Sequence, residues 1–164
     1  MSLYRWILFL HVLSALTFAL AHGVAVVMAF RLRREHALEP IRTLLEASAA
    51  TLPAMHASLY GIIGTGIILG WWGSWWRSAW VWVSLVLLLL ITAWMGRHSG
   101  RFYQRLRRAA GLPHGGPHPA QQVTEAPDPQ ELLRLARATA PVRLLIGGYG
   151  GLVVILWLMM FKPF

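Results

Sequence analysis

Residues 6–30 read WILFLHVLSALTFALAHGVAVVMAF. The run is almost wholly apolar, and a bilayer crossing needs only ~20 such residues at ~1.5 Å rise each. It reads as a membrane-spanning helix. Two histidines interrupt it, His11 and His22, eleven residues apart. At roughly 100° per residue, that spacing is three turns plus about 20°. Both imidazoles therefore leave one face of the helix, roughly 16 Å apart along its axis. Imidazoles facing lipid are costly, so this face is expected to meet other helices.

The run stops at Arg31-Leu32-Arg33-Arg34. Ala19-Leu20-Ala21 resembles a signal-peptide cleavage site, but an apolar run reaching Phe30 is too long for the core of such a peptide. A retained span is expected. Three further apolar blocks follow. The predicted spans are about 4–31, 53–72, 78–97 and 141–161, in one domain covering 1–164. Pro40, Ile41, Leu44 and Leu45 predict a short interfacial helix over 40–50. Pro53 predicts a kink or junction. Residues 97–108 carry Phe102, Tyr103 and Leu106 beside arginines, a basic amphipathic continuation of the third span. Residues 110–128 are rich in Gly and Pro and predict a flexible loop, in which His114 and His118 are solvated or hold a metal loosely. Asp128 is the expected N-cap of a helix opened by Pro129.

Composition supports spans rather than a soluble core. Hydrophobic residues make up 57% of the 164 residues, against ~45–50% in soluble domains. Cysteine is absent, which excludes disulfides, thiolate metal sites, a cysteine nucleophile and covalent c-type haem. The formal charge is +9, yet no nucleic-acid recognition motif accompanies it. Twelve of the fifteen basic residues follow the first and third spans, leaving Arg5, Arg77 and Lys162 for the other side. That asymmetry follows the positive-inside rule. It predicts an all-α integral membrane four-helix bundle, N-out and C-out, whose partner is the lipid bilayer and not nucleic acid. The turn WWGSWWRSAWVW holds six tryptophans, Trp71 to Trp82, and is expected to form an aromatic belt at the outer interface.

His56 and Tyr60 share a face of the second span. Counted from the span midpoints, His22 and His56 lie ~6 Å and ~10 Å toward the cytoplasm. On antiparallel neighbours they sit at similar depth. Two imidazoles at matched depth are what bis-histidine haem b requires. Gly23, Ala25, Ala57 and Gly61 would give clearance, and Arg31, Arg97 and Arg143 would meet the propionates. The competing reading is that each histidine bonds a neighbouring hydroxyl or carbonyl. His11 reads as a packed polar residue or a five-coordinate ligand, and His98 as solvated. All six acidic residues lie outside the spans, so no paired intramembrane carboxylates, nucleophile motif or phosphate loop points to an enzyme.

The segment YRWILFLHVLSALTFALAHG, with its FLHVL and AHG motifs and the RLRRE that follows, resembles the opening of a family of small bacterial four-span proteins of unassigned function. More distantly it is similar to copper-resistance D-type membrane domains and membrane b-type cytochromes, which place a histidine early in span one as His11 stands here. The resemblance implies a four-helix membrane bundle with His11 and His22 as the positions of interest. Three functions are thus expected in turn. The first is a haem b protein associated with electron transfer, liganded by His22 and His56. The second is a non-catalytic small subunit of a respiratory or photosynthetic membrane complex, or a homo-oligomer, docking through its glycine faces. The third is copper handling by His11, His22, Met159 and Met160.

Overall fold

The computed structural model describes residues 3–115 and 121–163. Of the described residues, 85% are helical. Four helices, Leu3–Arg34, Leu38–Trp72, Ala79–Ala109 and Pro141–Phe161, are long and apolar enough to cross a membrane. The first is α1 (Leu3–Arg34), closed by Arg31, Arg33 and Arg34 in its last turn, where cations suit the helix dipole. A short turn leads to α2 (Leu38–Ala50) and α3 (Leu52–Trp72). Only Thr51 separates these two, and it keeps right-handed helical backbone angles. Pro53 sits in the first turn of α3, where a missing N–H leaves nothing unsatisfied. It opens a helix here rather than kinking one.

Ser74 takes a left-handed conformation at φ 55° and starts a single 3-10 turn, Trp75–Arg77. Next come α4 (Ala79–Met95), a π turn at Gly96–Gly100 and α5 (Arg101–Ala109). The third span does continue into the basic amphipathic segment, through that widened turn. The fourth span has the same construction: α7 (Pro141–Leu145), a π turn at Ile146–Gly150, and α8 (Gly151–Phe161). Before it lies α6 (Pro129–Ala138), whose N-cap is Asp128, accepting from the Glu131 backbone N–H at 3.1 Å.

In the bundle, α1 packs along α3 and α4 packs along α8. Ile62, Leu88 and Ile155 join the two pairs, with Phe18 of α1 against them. A second, denser cluster lies at the arginine-rich end. There Leu32, Ile41, Leu45, Leu106, Leu132 and Leu135 are buried together between the end of α1 and helices α2, α5 and α6.

The segment after α5 is tied down more than its composition suggests. A two-residue ladder pairs β1 (His114–Gly115) with β2 (Gln122–Val123). Arg107 Nε donates to the Pro113 carbonyl at 2.8 Å, Arg108 Nε to Glu125 at 2.9 Å, and the Asp128 N–H to the Ala109 carbonyl at 2.9 Å. His114 Nδ1 lies 3.1 Å from the Leu112 carbonyl. The bonds of Arg107, Arg108 and Ala109 tie Pro113, Glu125 and Asp128 to α5. His118 lies outside the described residues.

Candidate functional site

His22 is the most enclosed titratable side chain of the bundle, with 3% of its surface exposed. Phe18, one turn before it, stacks on the ring at a centroid distance of 6.4 Å. Tyr149 tilts against the other side at 5.3 Å. The Nε2 atom makes a long 3.4 Å contact with the Leu144 carbonyl. A carbonyl only accepts, so that contact assigns the proton to Nε2. Gly148 lies directly against the ring, and a Cβ there would overlap the imidazole. Tyr149 OH donates to the Ala19 carbonyl at 2.7 Å. The π turn sets Gly148 and Tyr149 side by side toward α1, as such widened turns do at close helix contacts.

His11 meets a different helix. Its Nδ1 lies 2.8 Å from Thr65 Oγ1, and that hydroxyl donates to the Gly61 carbonyl one turn back at 2.5 Å. With its proton committed, the hydroxyl accepts from His11 Nδ1–H. Ser14 packs against Gly61, and Gly66 lies beside the His11 ring. The shared face predicted for His11 and His22 does turn inward, but its two halves meet separate partners. His11 faces α3, and His22 faces the α7–α8 turn.

His56 is placed otherwise. It is exposed on the surface of α3, with Tyr60 at 71% exposure on the same face. A bis-histidine haem needs both imidazoles turned into one space. Here His22 is enclosed against Gly148, with no room beside its ring for a flat macrocycle, while His56 points out of the bundle. As arranged, these residues do not fit haem b. Nor do the copper ligands converge. Met159 packs against the Ile62–Leu88–Ile155 cluster, whereas Met160 is 72% exposed. Among the described residues, no three His, Cys, Asp or Glu side chains gather where a metal would sit.

The tryptophans divide. Trp71, Trp72 and Trp82 are exposed, as a belt requires, but Trp80 is buried. Trp75 packs on Trp80, and Lys162 Nζ lies 4.5 Å from the Trp75 ring centroid. Part of the belt thus closes the end of the bundle.

Sequence reasoning missed Thr65, Leu144 and Gly148 as the partners of the histidines. Nothing in the run Gly147-Gly148-Tyr149-Gly150-Gly151 marks it in the sequence as the surface that receives His22. Among known proteins, the chain matches no family model, no curated sequence and no solved structure.

Proposed function

We propose that this protein is a non-catalytic subunit of a larger complex in the bacterial inner membrane, oriented N-out and C-out. Its work is to hold a helix of another subunit against the outward face of α3. One observation carries the reading. His56, Ala57, Tyr60 and Gly64 are all exposed and follow one another at helical spacing, and nothing lies within 4 Å of a Cβ built on Gly64. Polar side chains beside an open glycine are the ingredients of close helix–helix contact in lipid, where small residues admit a second backbone and polar groups bond across. Left against hydrocarbon, an imidazole and a phenol are a standing cost. The inward histidines are consistent with the same reading, since each is engaged by a neighbouring helix, His11 by Thr65 and His22 by the Leu144 carbonyl. The arginine asymmetry supports the orientation.

The test is native electrophoresis of membranes solubilised in mild detergent. The chain is expected to migrate well above its 18.4 kDa. Gly64→Trp should release it, and Val153→Trp, on the exposed face of α8, should not. A complex made only of this chain would replace the partner by self-association. Free migration of the wild type in both detergent and nanodiscs would overturn the reading. A reduced-minus-oxidised absorption spectrum should be flat; a low-spin Soret band lost in His22→Ala would restore the haem assignment instead.

A further inference from the structure

Three arginines from three elements line one cavity of about 510 Å³: Arg33 at the end of α1, Arg137 at the end of α6 and Arg143 at the start of α7. Among the described residues, the ion pairs are Arg42–Glu39, Arg108–Glu125, His114–Glu125 and Arg134–Glu131. None includes these three arginines. No carboxylate lines the cavity either. All three are exposed side chains, and an anion in the cavity would meet cations from three elements.

A second groove of about 240 Å³ adjoins the first and shares Thr139, Ala140 and Arg143 with it. Its walls are different in kind, with Trp94, Phe102 and Leu144 supplying apolar surface. Tyr103 also lines it, and the Tyr103 hydroxyl is buried without a hydrogen-bond partner. Such a hydroxyl is costly unless something bonds it. His98 stands on the same wall with Nδ1 committed to the Trp94 carbonyl at 3.0 Å, so its Nε2 is free. A basin lined by arginines thus lies beside an aromatic trough, and the buried Tyr103 hydroxyl stands in the wall of that trough.

We propose that this pair of cavities binds a phosphate-bearing anion, with the phosphate on Arg33, Arg137 and Arg143 and the attached apolar part along Trp94 and Phe102. Guanidinium forks match phosphate oxygens bidentately. The position suits a lipid source, because Arg33 and Arg143 lie at the ends of apolar helices, where headgroups would be. The same chemistry serves a soluble phosphate. The inference is independent of the α3 face.

Native mass spectrometry of the purified chain would test it in two arms. In one, phosphatidylglycerol is offered in excess phosphatidylcholine; in the other, inorganic phosphate is offered alone. The variant Arg33→Gln/Arg137→Gln/Arg143→Gln removes the site. The variant Arg31→Gln/Arg101→Gln/Arg105→Gln removes equal charge at the same end. Retention of phosphatidylglycerol, weakened at least about tenfold by the first variant and unchanged by the second, establishes the site with lipid as its source. Equally selective binding of phosphate alone, without lipid preference, establishes it with a soluble source. Equal losses in both triple variants, or no anion retained by the wild type, overturn it. Tyr103→Phe, which keeps the ring, should weaken binding about three- to tenfold, the worth of one hydrogen bond. Circular dichroism of each variant separates lost binding from lost fold.

Discussion

The cluster at the arginine-rich end and the bundle of apolar helices obey different rules of burial. Around Leu32, Ile41, Leu106 and Leu132, side chains are 0–1% exposed. In the bundle, the residues that join the two helix pairs, Ile62, Leu88 and Ile155, keep 8–9%. Only 11–22% of the most apolar window of each long helix is buried. Water drives the first region together, because each apolar side chain removed from it gains ~1.5–3 kcal/mol. Lipid offers no such gain, so the spans associate by close packing and a few internal hydrogen bonds. The lesson is that burial is most complete at the arginine-rich end, whereas several of the closest approaches between spans fall at glycines.

The sharpest way to break that contrast is to delete the same side chain in both regions. Leu106→Ala, in the dense cluster, should lower stability by about 2–5 kcal/mol in a detergent unfolding titration. Leu16→Ala, at 58% exposure on α1, should change it by no more than about 0.5 kcal/mol. Equal losses would mean that the two regions share one packing regime.

Next in size is the close contact inside the bundle. Gly148→Ala puts a methyl on the His22 ring, and overpacking of that kind costs about 1–3 kcal/mol. His22→Ala in the same chain should recover part of the loss, a coupling of about 0.5–3 kcal/mol in a double-mutant cycle. Additive losses would show that the ring and the glycine do not touch. Smaller still are the single polar ties. Thr65→Val and Tyr149→Phe should each cost about 0.6 kcal/mol, and at most about 1.7.

The smallest effect belongs to the surface of the dense region. The hydrogen bonds from Arg134 hold the Glu131 carboxyl below its usual value. A carboxyl depressed in the folded state adds stability above its unfolded value and loses it as pH falls through the folded one. Wild type and Glu131→Gln should therefore differ slightly at neutral pH, and the difference should vanish in strong acid. A pH series of melting temperatures checks the sign.

The two regions also differed in how far they could be read. The Asp128 cap and the helices over 40–50 and 101–109 were legible because each has one apolar face against water, and periodicity then points to the core. Within the spans nearly every face is apolar, so the pattern does not say which side is inside. His56 and Tyr60 were read as facing the bundle together with His22, and they lie on the outside. The ties of Arg107 and Arg108 were hidden for another reason: Gly/Pro content describes an isolated segment, not the Pro113 carbonyl and Glu125 carboxylate that α5 side chains reach in the fold.

The sequence by itself determined four helices able to cross a membrane, the concentration of arginine after the first and third, and the absence of thiol chemistry. These follow from length, hydropathy and composition, which need no partner to be expressed. Only the tertiary structure decided that His11 meets Thr65, that His22 rests on Gly148, and that Arg33, Arg137 and Arg143 converge. The two histidine contacts join residues 54 and 126 positions apart in the chain, and the second depends on the close approach of Gly148 in its π turn. Lipid-facing and helix-facing surfaces are equally apolar, so only packing separates them.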